Sequence, residues 1–223
     1  FLALIFILER NTRATGAFAL TGAALAAMSV ALAGWPLHAR FLGVLREIDA
    51  VILFDKSNYA PEVVLYQLQA LLTGADLSQQ PLSLPEPFWL STIMAALMLA
   101  ALAALILMRP RLVPGTAVPV LLLGFGLATA LFGPVSWAFY FTLPLLLLPT
   151  LFHIMSRKKA WCWIFAFGLL QSLPATLLYA QISDTVYVTS LMGVLCYMGL
   201  LLVLVGLVFR AVRFKPDVPL PFR

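Results

Sequence analysis

The chain has 223 residues, 63% of them hydrophobic and only 10% charged, with a mean hydropathy of +1.02. A soluble domain carries about 25% charged residues, so water is not the main solvent and a polytopic all-α membrane protein remains. The net charge of +5 raises nucleic acid as a partner, but the cations are distributed as an orientation signal instead.

The first run, FLALIFIL, ends at Glu9-Arg10. It is too short for a hydrocarbon core of about 30 Å, and it has neither the basic start nor the small-residue cleavage site of a signal peptide. It reads as the tail of a partial transmembrane helix, which makes the sequence the C-terminal part of a longer protein. Six complete spans are predicted at 14–34, 88–108, 112–133, 135–155, 160–180 and 186–209, giving one helical bundle over 1–223. The 14–34 span is mostly Ala, Gly, Ser and Thr. Small residues let membrane helices approach closely, so this helix is expected inside the bundle. Pro119, Pro144, Pro149 and Pro174 fall within spans and are expected to kink or locally open them.

The connections alternate sides. One side collects 11 of the 14 basic residues, and the other holds Arg40, Arg46 and Lys56 with seven of the nine acids. Short basic loops stay in the cytoplasm, so the C-terminus is predicted to be cytoplasmic. The 35–87 segment and the Gly133–Tyr140 corner are then extracytoplasmic. Trp35, Trp89, Trp137, Trp161 and Trp163 all fall at span ends, where amphipathic rings favour the headgroup zone.

The outer segment is too long for a bare loop. Phe41, Leu45, Ile48 and Ile52 recur at helical spacing in Arg40 to Phe54, and Val64, Leu65, Leu68 and Leu72 follow Pro61 on one face. Both stretches read as amphipathic helices at the outer surface, covering the bundle or roofing a cavity. The return, SQQPLSLPEP, reads as extended.

Chemistry-bearing groups are few. No complete span holds a charged residue, which disfavours an ion-coupled carrier. Gln171, Ser172 and Thr176 form a polar patch explained by hydrogen bonding at the Pro174 kink. Cys162 and Cys196 lack CxxC spacing or a nearby His or Asp, so they read as small buried hydrophobes rather than metal ligands. No metal and no cofactor is expected. His38 and His153 have no triad partners in sequence. Asp49, Asp55 and Glu62 are the candidate bases on the outer side.

The order of features resembles a known family. A helix tail ending in ERNTR precedes a small-residue span closing on LAGW, then NYAPEVVLYQLQALLTG in the outer segment, and later LFGPVSWAFYFTLPLLLLP. This is similar to the C-terminal half of the family 87 glycosyltransferases, polytopic enzymes of the GT-C fold. There an Asn-led amphipathic helix occupies the outer loop, and SPISW followed by acidic and histidine residues opens a later span. Asn58 matches the first feature, and Gly133-Pro134-Val135-Ser136-Trp137 matches most of the second. Ala138, Phe139 and Tyr140 stand where the acids and histidines are expected.

The resemblance implies transfer of a sugar from a polyprenyl-phosphate donor to a lipid or glycan acceptor at the outer face of a bacterial inner membrane. Its general base would lie upstream of Phe1. Arg40, Arg46 and Lys56 are the outer cations for the phosphate, and Arg40, Lys56, Asn58, Ser136, Trp137 and Tyr140 are the candidate substrate-binding residues. Trp137 and Tyr140 either stack on a sugar or anchor their helix. The competing readings are a non-catalytic subunit packed against a larger membrane protein complex and a carrier of lipid-linked sugar. Membrane lipids are partners in every case.

Overall fold

A computed structural model describes residues 2–55, 57–74, 83–112, 115–133, 136–182 and 188–210. The expectations for Lys56, for Pro134 and Val135, and for the cations after residue 210 lie outside them. In chain order the elements begin with helices α1 (Leu2–Leu8), α2 (Thr12–Ala33) and α3 (Trp35–Asp49), followed by strand β1 (Val51–Leu53), α4 (Pro61–Thr73) and β2 (Ser83–Pro85). They continue with α5 (Phe88–Met108), α6 (Ala117–Phe132), α7 (Thr142–Leu146), α8 (Arg157–Leu170), α9 (Leu173–Ile182) and α10 (Val188–Arg210). Short 3-10 turns cover Arg109–Arg111, Ala138–Phe141 and Leu148–His153.

Among the described residues three helices, α2, α5 and α10, are long and apolar enough to cross a membrane, and α8 with α9, bent by 53°, makes a fourth if counted as one span. The 135–155 segment is not one helix. It runs from a 3-10 turn through the five-residue α7 into a second 3-10 turn. The predicted 160–180 span is bent as expected, by 53° at the break just before Pro174, and the stretch with Pro144 and Pro149 is opened into short turns, whereas Pro119 leaves α6 unbroken. Each of the four prolines stands in the first turn of a helical segment: Pro119 in α6, Pro144 in α7, Pro149 in a 3-10 turn and Pro174 in α9. A missing N–H is harmless there, since those donors have no partner within the helix.

The break between α8 and α9 is satisfied locally. Ser172 Oγ donates to the Leu169 carbonyl (2.7 Å), Ala175 N donates to Ser172 Oγ (3.3 Å), and Thr176 Oγ1 donates to the Ser172 carbonyl (3.0 Å). This is the expected role of that polar patch.

The core is built around α6. Leu121, Leu123, Phe125, Leu127 and Leu131 are fully buried, and α1, α5, α7 and α10 pack against this helix. A helix surrounded on all sides is apolar on all sides, as the AVPVLLLGFGLATALF sequence is. At Gly124 a Cβ would come within 2.6 Å of Leu105 Cδ1 and 3.1 Å of Leu204 Cδ2, so this glycine lets three helices converge.

The expectation that α2 lies inside the bundle is overturned: none of its residues is buried. Alanine-sized side chains make few dispersion contacts, and the centre goes to the Leu- and Phe-rich α6. Cys162 is likewise exposed rather than buried, and Cys196 is half-buried.

Asn11 caps α2 by accepting from Ala14 N (3.0 Å), and Gly34, at φ 80°, turns the chain into α3. His38 braces this corner. Its Nδ1 donates to the Gly34 carbonyl (2.9 Å) and its Nε2 lies 3.0 Å from Ser29 Oγ. The first amphipathic helix ends at Asp49, earlier than its spacing suggests. Val51–Leu53 instead pairs antiparallel with Ser83–Pro85, because β-branched Val51 and Ile52 suit a strand and the extended return supplies a partner. The helix predicted after Pro61 is α4, closed by Gly74 in the left-handed conformation.

An aromatic cluster ties the segment between α3 and α5 to the bundle. Phe141 stacks on Tyr197 with centroids 3.9 Å apart, and Tyr59 lies 5.8 Å from Phe141 and 6.2 Å from Tyr197. Tyr59 has this place because residue 193 is glycine, where a Cβ would fall 2.5 Å from the Tyr59 ring. Gly193→Ala is therefore expected to lower the unfolding midpoint in detergent, at a cost of about 1–3 kcal/mol. Gly199→Ala, where a Cβ meets nothing within 4 Å, is the matched control and should leave the midpoint unchanged or raise it.

Candidate functional site

The two stretches that carried the sequence resemblance meet in space. Asn58 and Trp137 form an isolated antiparallel bridge. Tyr59 N donates to the Ser136 carbonyl (2.7 Å) and Ala138 N to the Ser57 carbonyl (2.9 Å). The Asn58 amide completes the joint: Nδ2 donates to the Leu53 carbonyl (2.8 Å), while Oδ1 accepts from Ala60 N (3.1 Å) and Ser136 N (3.2 Å). Ser136 Oγ turns inward and donates to the Leu131 carbonyl (2.8 Å).

Asn58 is 2% and Ser136 0% exposed, so both polar side chains are engaged with backbone. Upstream, Asp55 Oδ1 accepts from Ser57 N (2.7 Å) and from the Ser57 hydroxyl, which shapes the turn into Asn58. Ser190 Oγ on α10 donates to the Asp55 carbonyl (3.2 Å) and ties that turn to the bundle.

The joint fixes where the following aromatics stand. Trp137 and Tyr140 line an open cleft of about 670 Å³, bounded by α3 through Leu42, Leu45 and Arg46 and by the C-terminal half of α6 through Thr129 and Ala130. Phe139 lies between the two rings in sequence, near-parallel to Trp137 at 6.3 Å and edge-on to Tyr140 at 4.6 Å. Trp137 is half-buried while Phe139 and Tyr140 are exposed. The cleft thus combines apolar walls, two amphipathic rings and one arginine.

Of the residues expected to bind substrate, Asn58 and Ser136 are brought together in the joint, and Trp137 and Tyr140 are brought to the cleft. Arg40 is exposed on α3 and not among the cleft residues; Arg46, an outer cation in the sequence, is. Lys56 lies outside the described residues. Of the candidate bases, Asp49 ends α3 but its side chain lies outside the described residues, and Asp55 is exposed.

Glu62 differs from the other acids. It sits in the first turn of α4, is 5% exposed, and its Oε2 has no hydrogen-bond partner. Burial pushes its carboxyl up from 4.5 to about 7, against the pull of its own backbone N–H and with help from the Glu86 charge. Among the described residues no group of three His, Cys, Asp or Glu side chains is placed to hold a metal ion.

Comparison with known proteins matches residues 1–118 of the chain to the model of glycosyltransferase family 87. No curated protein and no solved structure matches it.

Two predictions follow from this geometry. Asn58→Ala and Asn58→Asp should each destabilise the fold, Ala by leaving buried backbone groups unpaired and Asp because a carboxylate cannot donate to the Leu53 carbonyl. Each lost partner costs roughly 1–3 kcal/mol, readable as a lower unfolding midpoint in detergent. For Glu62, the folded chain holds its proton more tightly than the unfolded chain. Its contribution is complete below about pH 4.5, falls as pH rises toward about 7, and is flat above that. Glu62→Gln, which stays neutral, should remove this decline when unfolding midpoints of the two proteins are compared across pH.

Proposed function

The chain belongs to glycosyltransferase family 87, and from that premise we propose that it is a membrane glycosyltransferase moving a sugar from a polyprenyl-phosphate donor to a lipid or glycan acceptor at the extracytoplasmic face. The observation that carries this reading is the cleft in which Trp137 and Tyr140 meet the apolar side of α3. A polyprenyl-phosphate sugar keeps its tail in the bilayer and its sugar at the surface. A site for it therefore needs an apolar wall continuous with lipid and ring faces at headgroup depth, and the cleft offers both.

The same reading has six complete spans in a bacterial inner membrane. The segment α6, the 136–153 stretch and the bent α8–α9 pair complete the set begun by α2, α5 and α10. The excess of basic residues on one set of loops supports a cytoplasmic C-terminus. Asn58 and Ser136 act in this scheme by holding Trp137 in place. Transfer also needs a base to take the acceptor's proton, a role assigned to no residue of this chain. A non-catalytic subunit is the second reading, favoured by Ala138, Phe139 and Tyr140 standing where the family has acids and histidines.

The test is sugar transfer by the full chain in membranes supplied with radiolabelled polyprenyl-phosphate sugars. Product is expected, and Trp137→Ala or Tyr140→Ala should lower kcat/KM about tenfold, a loss of about 1.4 kcal/mol. No transfer from any such donor at normal protein level would leave the subunit reading in its place.

A further inference from the structure

We propose that Arg46, rather than Arg40, is the residue that holds the phosphate of the lipid-linked donor and so selects a charged lipid for the cleft. The inference rests on the reading of the cleft as a lipid-phosphate sugar site. Arg46 is a lining residue, set among Leu42, Leu45, Trp137 and Tyr140. Arg40 is on the same helix, but six residues at about 100° each carry it roughly 240° around the axis, so it faces elsewhere.

Among the described residues no acidic side chain pairs with Arg46; the ion pair there joins Arg109 to Glu9 at 2.9 Å. The guanidinium is thus available to an incoming anion. Its planar fork of donors matches a phosphate bidentately, and Leu42 and Leu45 stand beside it in the same cleft lining. The ring pair of Trp137 and Tyr140 lies across the same cleft. A ligand with phosphate at Arg46 would lay its sugar toward the rings and its tail along Leu42 and Leu45 toward lipid. An uncharged polyprenol would gain the walls but nothing at Arg46. An ordinary phospholipid would present two acyl chains to a cleft with one apolar wall beside the cation.

The experiment uses the full chain in nanodiscs and measures binding of a long-chain polyprenyl phosphate, the matching polyprenol, phosphatidylglycerol and inorganic phosphate. The wild-type protein is expected to prefer polyprenyl phosphate over each of the others by at least tenfold. Arg46→Gln should erase the preference over polyprenol, Arg46→Lys should restore part of it, and Arg40→Gln should leave it intact. Arg46 is solvent-exposed on α3, so these variants spare the core.

The proposal is overturned if Arg46→Gln keeps the preference, if Arg40→Gln loses it equally, or if phosphatidylglycerol or inorganic phosphate binds as well as polyprenyl phosphate. Measuring transfer beside binding separates the two claims. Transfer with an unchanged donor KM in Arg46→Gln would sink the Arg46 assignment and leave the transferase. Arg46-dependent binding without transfer from any donor would do the reverse.

Discussion

One buried amide, that of Asn58, joins the segment between α3 and α5 to the bend that follows α6. Asn58 reaches Leu53 and Ala60 on its own side and Ser136 on the other, across 78 residues of sequence. The groups it joins are backbone groups at the end of β1, at the start of α4 and at the bend before Trp137, and in an apolar setting an unpaired one is costly. An asparagine is the side chain that can donate to a carbonyl and accept from two N–H groups from one planar amide. The Asp55 turn and the Tyr59 ring have anchors of their own on the bundle, but the Trp137 bend meets them through this joint. That bend carries the far wall of the cleft between α3 and α6.

Much of the helical architecture is legible from residue order. The boundaries of α2, α5 and α10 follow from uninterrupted apolar runs, and α4 from Pro61 at its start and Gly74 at its end. What is not legible depends on contacts between distant segments. A three-residue strand at Val51 exists because Ser83–Pro85 lies beside it, and local spacing alone continues α3 through it. The small residues of α2 fit close packing or an open flank equally well. The choice is made by α6, whose larger side chains fill the centre. The bend before Pro174 and the opened stretch at Pro144 and Pro149 follow from proline in an apolar run, whereas Pro119 instead stands in the first turn of an unbroken α6.

The candidate site was legible in the same uneven way. Asn58, Ser136, Trp137 and Tyr140 are conspicuous as polar or amphipathic residues at the ends of apolar runs, but the division between them is set by burial. Two hold the backbone and two face the cleft. The choice among the outer cations could not be made from sequence, because Arg40 and Arg46 differ only in their angle around α3. Membership of glycosyltransferase family 87, which rests on residues 1–118, draws on the first half of the chain. The rings that finish the cleft, Trp137 and Tyr140, come from the second half, beyond the matched residues.

The brace at the α2–α3 corner has a chemical consequence of its own. A carbonyl oxygen can only accept, so the contact from His38 Nδ1 to Gly34 places the neutral imidazole's single proton on Nδ1 and leaves the Nε2 lone pair to receive the Ser29 hydroxyl. One ring therefore reaches from α3 to both the end of α2 and the glycine between them, and the elbow is pinned from each side by a single side chain whose tautomer is set by the carbonyl it faces.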